Sequence, residues 1–251
     1  MTAASLPPLK PGRIDMHSHL LPGVDDGCAT FEQSLACVHR LMDAGFVGTI
    51  CTPHIVPDMF PANTPANINN LVANFQQDLA EAGVDYRLWA GGELRISDTI
   101  VDWMKTHGVP TVANSRCVLM DFWADKWPKW SIKTFEWLLS ESYQPILAHP
   151  ERISCCYKDP KKLGEVVKMG VWLQGNCRSM TGEDGYGADQ LVRQLLKAGR
   201  YAFMALDMHG PSSLEARLDG MQLIAAEYGD AQLDIWMADN PRKILLGETP
   251  A

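Results

Sequence analysis

The sequence contains no apolar run approaching the roughly 20 residues that span a bilayer, and its first residues, MTAASLPPLKPGR, hold no hydrophobic signal core. The expected address is the cytoplasm, with no membrane span. None of the 7 cysteines forms a Cys-x-x-Cys pair. That odd set favours neither a disulfide framework nor a cysteine zinc ribbon, so reduced, mostly buried thiols are expected. Basic residues are in deficit, 22 against 30 acidic for a net charge of -8, which repels a nucleic-acid backbone. A phosphate-bearing ligand therefore needs a local positive source, such as arginine or bound metal ions. Glycine and proline are neither periodic nor dominant, and 46% hydrophobic with 21% charged residues excludes a disordered chain. The glycines of MTGEDGYG, Met180 to Gly187, make no G-x-G-x-x-G or P-loop pattern and read as a flexible loop. No Gly/Ser/Pro linker divides the chain, so residues 1–251 are expected to form a single domain.

Short apolar runs alternate with amphipathic stretches along this domain. Strands are expected at Arg13 to Met16, Val47 to Cys51, Tyr86 to Ala90, Cys117 to Met120, Pro145 to Ala148, Val171 to Gln174 and Ala202 to Leu206. Each is followed by a segment that can be helical, which makes seven β/α units. A helix from Thr30 to Ala44 is stopped by Gly45. Ser97 precedes another that ends at His107-Gly108, Ser131 opens one ending near Tyr143, and Asp159-Pro160 opens one ending at Met169-Gly170. The expected fold is α/β, a parallel barrel, closed or slightly distorted, with helices after His209 and near the C-terminus completing the outer ring.

At the C-terminal end of nearly every expected strand stands a His, Asp or Glu: His17 and His19, then His54, Glu93, Asp121, His149, and Asp207 with His209. In such a barrel those ends converge on one face. Two histidines two residues apart on a strand point to the same side and can grip one ion or two neighbours. With Asp26, chosen over adjacent Asp25, nine candidate ligands result. They are too many for one tetrahedral ion and divide naturally among three, at about three protein ligands each. A single His or Asp after a strand usually caps a loop; nine in register argue for metal. His39, within a helix, and His107, in a helix's last turn, are expected to be structural.

These residues lie in strings that resemble a known family. DMHSHLLPGVDDG at Asp15 to Gly27, TPH at Thr52 to His54, GGELR at Gly91 to Arg95, VLMDF at Val118 to Phe122, AHPER at Ala148 to Arg152 and DMH at Asp207 to His209 together resemble the PHP superfamily. Within it they are most similar to the bacterial capsule-biosynthesis protein-tyrosine phosphatases. The resemblance implies a distorted (β/α)7 barrel and a trinuclear, manganese-type centre held by the nine residues just named. It makes Arg152 the phosphate-binding arginine and Arg152 and His209 the catalytic residues. It further implies a phosphotyrosine protein as substrate, such as the tyrosine-rich tail of a capsule or exopolysaccharide kinase. Three departures are visible. Asp121 stands where these phosphatases usually carry Glu, Ile55 replaces a His that commonly follows TPH, and Gly-Pro-Ser-Ser after His209 lacks the Asn and nearby second arginine, with Arg217 displaced.

The expected chemistry also follows from charge. Four carboxylates and three divalent ions sum to +2, an attractor for a phosphate dianion inside an acidic protein. A bridging water with a lowered pKa would attack phosphorus in line, with Arg152 as a bidentate clamp on the developing charge. A cysteine nucleophile would need an arginine six residues on, and none of the seven cysteines has one. Trp123, Trp127 and Trp130 are expected on a loop at the mouth, flanking a substrate ring or sealing the barrel. Gln174, Asn176 and Arg178 are candidate pocket residues, the last two as substrate contacts. Competing readings keep the centre but change the substrate to a small phosphomonoester such as histidinol phosphate or a nucleotide, or leave a non-catalytic, metal-binding regulatory module. An amidohydrolase ranks third, because Asp121 replaces the Lys that commonly bridges two ions there. Manganese, iron and zinc all suit mixed His/carboxylate donors, and the oligomeric state stays open.

Overall fold

Proline and glycine break the chain just past two of the expected strands and thereby shape the barrel. The computed structural model describes residues 9–250. Its strand segments are β1 (Arg13–Ser18), β2 (Phe46–Cys51), β3 (His54–Ile55), β4 (Arg87–Ala90), β5 (Glu93–Arg95), β6 (Cys117–Asp121), β7 (Gln144–Ala148), β8 (Trp172–Asn176) and β9 (Tyr201–Ala205). They form two sheets, β1-β2-β4 and β3-β5-β6-β7-β8-β9, parallel at every pairing. Thr52-Pro53 separates β2 from β3, and Gly91-Gly92 separates β4 from β5, so nine segments occupy seven barrel positions. Pro53 has no N–H to give a ladder. A Cβ on Gly92 would stand 2.4 Å from Ile55 Cδ1, so glycine lets the two broken strands approach. Beyond β9 the ring closes on β1: the Asp207 N–H donates to His17 O at 2.8 Å and the His19 N–H to Met208 O at 2.9 Å. All seven expected strands are present, with ends shifted by at most two residues, in a distorted seven-position α/β barrel.

The helices are α1 (Phe31–Asp43), α2 (Pro65–Glu81), α3 (Ile100–His107), α4 (Lys129–Ser140), α5 (Ser154–Lys158), α6 (Pro160–Lys168), α7 (Tyr186–Lys197), α8 (Pro211–Tyr228), α9 (Asp230–Asp234) and α10 (Asn240–Leu245). Side-chain caps explain several starts. The Gln33 N–H donates to Thr30 Oγ1 ahead of α1, and the Lys162 N–H to Asp159 Oδ1 ahead of α6; each such cap stabilises by about 1 kcal/mol. The helix expected to open at Ser131 begins two residues earlier, at Lys129. The Ser131 hydroxyl donates to Pro128 O at 2.7 Å and lies inside the first turn instead of before it.

Ile14, Met16, Ile50, Leu119, Ile146 and Phe203, from five different strands, share one apolar cluster with Ile244 of α10. The larger cluster packs helices onto strands through Leu41, Phe75, Phe135, Leu138, Met204 and Leu206. Fully burying each such side chain contributes about 1.5–3 kcal/mol. All seven cysteines are buried and unpaired. No helix among the described residues is long and apolar enough to cross a membrane.

The tightest helix contact lies at the end of the barrel where the strands finish. On α8, a Cβ at Gly220 would lie 2.0 Å from Cys177 O, in the 3-10 turn Cys177–Thr181 that follows β8. Gly220→Ala must push that turn away and is expected to cost about 1–3 kcal/mol, read as a lower denaturant midpoint at unchanged slope.

Candidate metal centre

The candidate ligands lie near the ends of strand segments or on the loops that follow them, and two occupy left-handed backbone that non-glycine residues rarely adopt: His149 at φ 30° and Asp207 at φ 53°. Such geometry costs about 1–3 kcal/mol per residue and recurs at functional sites. It turns both side chains inward at the barrel mouth.

Glu93, the first residue of β5, is central. Its Oε2 lies 2.9 Å from His54 Nδ1 and 3.5 Å from Nε2 of both His17 and His19, while Oε1 lies 2.8 Å from His149 Nε2. Asp207 Oδ1 is 3.5 Å from His17 Nε2 and 3.4 Å from His19 Nε2. Asp26, the most exposed of the set, places Oδ1 3.4 Å from His54 Nε2 and 3.6 Å from His209 Nε2. Four overlapping groups result: His19, Asp26, His54 and His209; His17, His149 and Asp207; His17, His19 and Glu93; and Glu93, Asp121 and His149. The structure thus brings all nine predicted ligands into one region.

Cations fit this region on a specific observation. His17 Nε2, His19 Nε2, His54 Nδ1, His149 Nδ1, Glu93 Oε2, Asp121 Oδ2 and Asp207 Oδ1 are all buried without a hydrogen-bond partner. Leaving one such atom unsatisfied costs about 1–3 kcal/mol, and seven in one place would be hard to retain without a ligand. Three imidazoles are also held through Nδ1, which turns Nε2 toward the centre: His17 by Gln174 Oε1 at 3.0 Å, His19 by Asp25 Oδ2 at 2.6 Å and His209 by Asp207 O at 2.9 Å. This is the outer support that metal-binding histidines require.

The clustered charges also shift one another's protonation. Burial disfavours charge on His17 and His19, but Glu93 and Asp207 outweigh it, joined at His19 by Asp25, and hold both imidazoles above their ordinary pKa. Burial likewise opposes ionisation of Glu93 and Asp207, yet His17 and its neighbours keep both carboxylates well below the usual range. Burial and then nearby Glu93 push Asp121 up, against the Arg95 guanidinium that donates to its Oδ1 at 2.8 Å. Burial and the charge of His19 lower His209 to about 4.

Arg152 flanks the centre: Nη1 donates to Asp207 Oδ2 at 2.5 Å, an oxygen that also accepts from Asn176 Nδ2 at 2.8 Å. Its guanidinium lies 5.4 Å from the Trp123 ring centroid, and that ring is 6.1 Å from His149. Of the three tryptophans, Trp123 lies beside Arg152 and His149, and the other two take the packing role. Trp127 and Trp130 pack on buried Phe122 at 5.5 and 5.8 Å, because the apolar wall offered by Phe122 draws both rings in. Gln174 and Asn176 lie within β8. Arg178 follows on the 3-10 turn, beside Asp184.

Four supporting residues escaped the sequence reading. Asp25 orients His19 and also accepts the His54 N–H at 2.8 Å; burial opposes its charge, but His19 prevails and lowers it to about 2. Arg95 holds Asp121. Asp184 holds Arg178. Glu151, fully buried, accepts from the Asn176 N–H and the Tyr201 hydroxyl, both at 2.7 Å. Asp25, Arg95 and Glu151 stand inside the DDG, GGELR and AHPER strings, which was the available signal; Asp184 carried none.

Known proteins resemble this chain in both sequence and fold. Over 237 residues the chain is 24% identical to the tyrosine-protein phosphatase YwqE of Bacillus subtilis, covering 94% of this chain and 92% of that protein. It is 27% identical over 247 residues to the tyrosine-protein phosphatase CpsB of Streptococcus pneumoniae, covering 94% and 99%. A crystal structure from work on YwqE and CpsB, described as unique metal-dependent tyrosine phosphatases, superposes with a TM-score of 0.86 at 23% identity, over 95% of this chain and 96% of that one. A phosphotriesterase homology protein from Escherichia coli shares the fold more loosely, at a TM-score of 0.58 and 13% identity. A family model described as capsular polysaccharide synthesis, CpsB/CapC, matches residues 13–246, and the chain therefore belongs to the CpsB/CapC family.

Proposed function

We propose that this chain is a metal-dependent protein-tyrosine phosphatase of bacterial capsule or exopolysaccharide synthesis, using three divalent ions of the manganese type. The observation that carries the reading is the set of seven unpaired buried donor atoms beside Arg152. Membership of the CpsB/CapC family supports the substrate class. His17, His19, Asp26, His54, Glu93, Asp121, His149, Asp207 and His209 would hold the ions. When bound, such ions supply Lewis-acid stabilisation of phosphoryl oxygens and lower the pKa of water.

The chain's own residues do the rest. Arg152, fixed by Asp207 and stacked near Trp123, presents its remaining donors to the phosphoryl oxygens. His209, the most exposed of the candidate-ligand imidazoles, is fixed through Nδ1 by Asp207 O, which leaves Nε2 for an ion, and burial together with the charge of His19 holds its pKa down at about 4. Trp123 offers a half-exposed face to the phenol ring. A tyrosine leaving group has a reference pKa of about 10, so no dedicated general acid is required. Thiol chemistry has no part in this scheme, since every cysteine is buried. The proposed partner is the tyrosine-rich tail of a capsule or exopolysaccharide kinase, met in the cytoplasm.

The test is turnover by manganese-loaded protein on a phosphotyrosine peptide, beside a phosphoserine peptide, histidinol phosphate and a nucleotide, with metal content measured in parallel. Preference for phosphotyrosine and about three ions per chain are the expected results. Silence with manganese, iron and zinc would leave a metal-binding module, and a preference for histidinol phosphate or the nucleotide would move the substrate class. Chelation should also lower the melting temperature. A site filled at 1,000 times its Kd contributes about 4 kcal/mol, and that stabilisation disappears with the ion.

A further inference from the structure

We propose that Asp184 is a positioning residue that holds Arg152 and Arg178 as a two-arginine clamp for the substrate phosphate, an inference that rests on the phosphatase reading above. Asp184 Oδ1 accepts from Arg178 Nη2 and lies 3.5 Å from Arg152 Nε, so the two guanidinium groups share one oxygen. Oδ2 accepts from the Ser179 hydroxyl at 2.8 Å. The carboxylate is only 6% exposed. It stands on a turn between Gly182 and Gly185, both with positive φ, closed by the Gly185 N–H donating to Gly182 O at 3.0 Å.

A second path ties the same arginine to the metal-binding region. The Arg178 N–H donates to Asn176 Oδ1 at 3.1 Å, and Asn176 Nδ2 donates to Asp207 Oδ2. Asp207 is a candidate ligand and the anchor of Arg152, so Arg178 is coupled to the centre through Asn176 and through Asp184.

Availability distinguishes Arg178 from the other nearby arginine. Arg217 is 3% exposed, and its Nε and Nη1 are taken by the carbonyls of Asp207 and Ser213 at 2.6 and 2.8 Å. Arg178 retains a buried Nε with no partner and remains partly exposed. A guanidinium carries five donors, so an ion pair with Asp184 leaves several for an incoming anion. Two arginines that would otherwise repel are thus held at a fixed spacing before phosphate arrives, which removes an ordering cost from binding.

The experiment uses the manganese-loaded full chain, with inorganic phosphate as probe by calorimetry and as a competitive inhibitor of aryl phosphate turnover. Arg178→Gln is expected to weaken phosphate binding about tenfold and raise KM in step, with kcat within about threefold and manganese content unchanged. Asp184→Ala should act in the same direction, and the double variant should be less impaired than the two effects combined, because one residue acts through the other. Asp184→Asn keeps an accepting oxygen and should fall between wild type and Asp184→Ala. Arg178→Lys should restore part of the loss, which a merely structural role would not produce. Phosphate binding within twofold of wild type in Arg178→Gln would overturn the clamp. Tighter binding in Asp184→Ala would also overturn it, because the carboxylate would then be occupying the phosphate's own place. Failure of the phosphatase reading looks different: wild type would turn over no phosphomonoester, while phosphate calorimetry would still report on the clamp.

Discussion

Glu93→Gln is expected to remove at least one equivalent of bound metal and to lower kcat/KM by about a thousandfold, or about 4 kcal/mol of transition-state stabilisation. The size follows from sharing. Glu93 belongs to two of the four candidate groups and is the carboxylate that four histidines approach within 3.5 Å. Gln preserves volume and one oxygen but removes the charge, so lost packing cannot account for the result. Metal analysis after gel filtration, beside turnover on an aryl phosphate, makes the measurement. Asp26→Asn is the contrast: Asp26 enters one group only and is 62% exposed, so its loss should be milder. Full metal content in Glu93→Gln would show that the central carboxylate is not a ligand.

The chelated protein adds a pH signature. Its imidazoles His17 and His19 have raised folded-state pKa values, so the stability they gain from Glu93 is fully present below their ordinary 6.5 and is lost as pH rises through the folded values. Glu93 has a depressed value, so its share is present above 4.5 and is lost as pH falls through the folded value. Both conditions hold between 4.5 and 6.5. There the chelated variant should lose the most melting temperature relative to chelated wild type.

Much of this architecture is legible in the chain itself. Apolar runs such as Val118 to Met120 and Ile146 to Ala148 mark barrel strands because both faces of a parallel strand are covered, and the ligand positions follow each run at once. The breaks at Thr52-Pro53 and Gly91-Gly92 were harder to see, since each leaves only a two- or three-residue segment beyond it. Those short segments begin with His54 and Glu93. The choice between the two roles open to Trp127 and Trp130 was not legible, because an aromatic cluster carries no periodic signal to say whether its rings face substrate or the core. Asp184 was invisible for a different reason. Its meaning lies in contact with Arg152, on a loop far away in sequence, whereas locally it is one of two adjacent acidic residues between two glycines.

Arg152→Ala should separate chemistry from metal binding more cleanly than any ligand substitution. The guanidinium touches Asp207 Oδ2 and no metal-facing atom, so removing it takes no donor from the cations. It does take a positive charge from beside Asp207, whose folded-state pKa is low partly because of that charge. The freed carboxylate presents more uncompensated negative charge to the centre, and metal affinity should therefore hold or increase. Turnover moves the other way: losing a preorganised donor to a phosphoryl oxygen costs about 10²–10³ in kcat. Arg152→Lys keeps the charge without the fork and should recover only part of this. Opposite movement of metal affinity and kcat is thus the expected signature, read by titrating manganese into each chelated variant and assaying at saturation. A parallel fall in both would mean that Arg152 acts by supporting Asp207 as a ligand, and its direct contact with phosphate would have to be withdrawn.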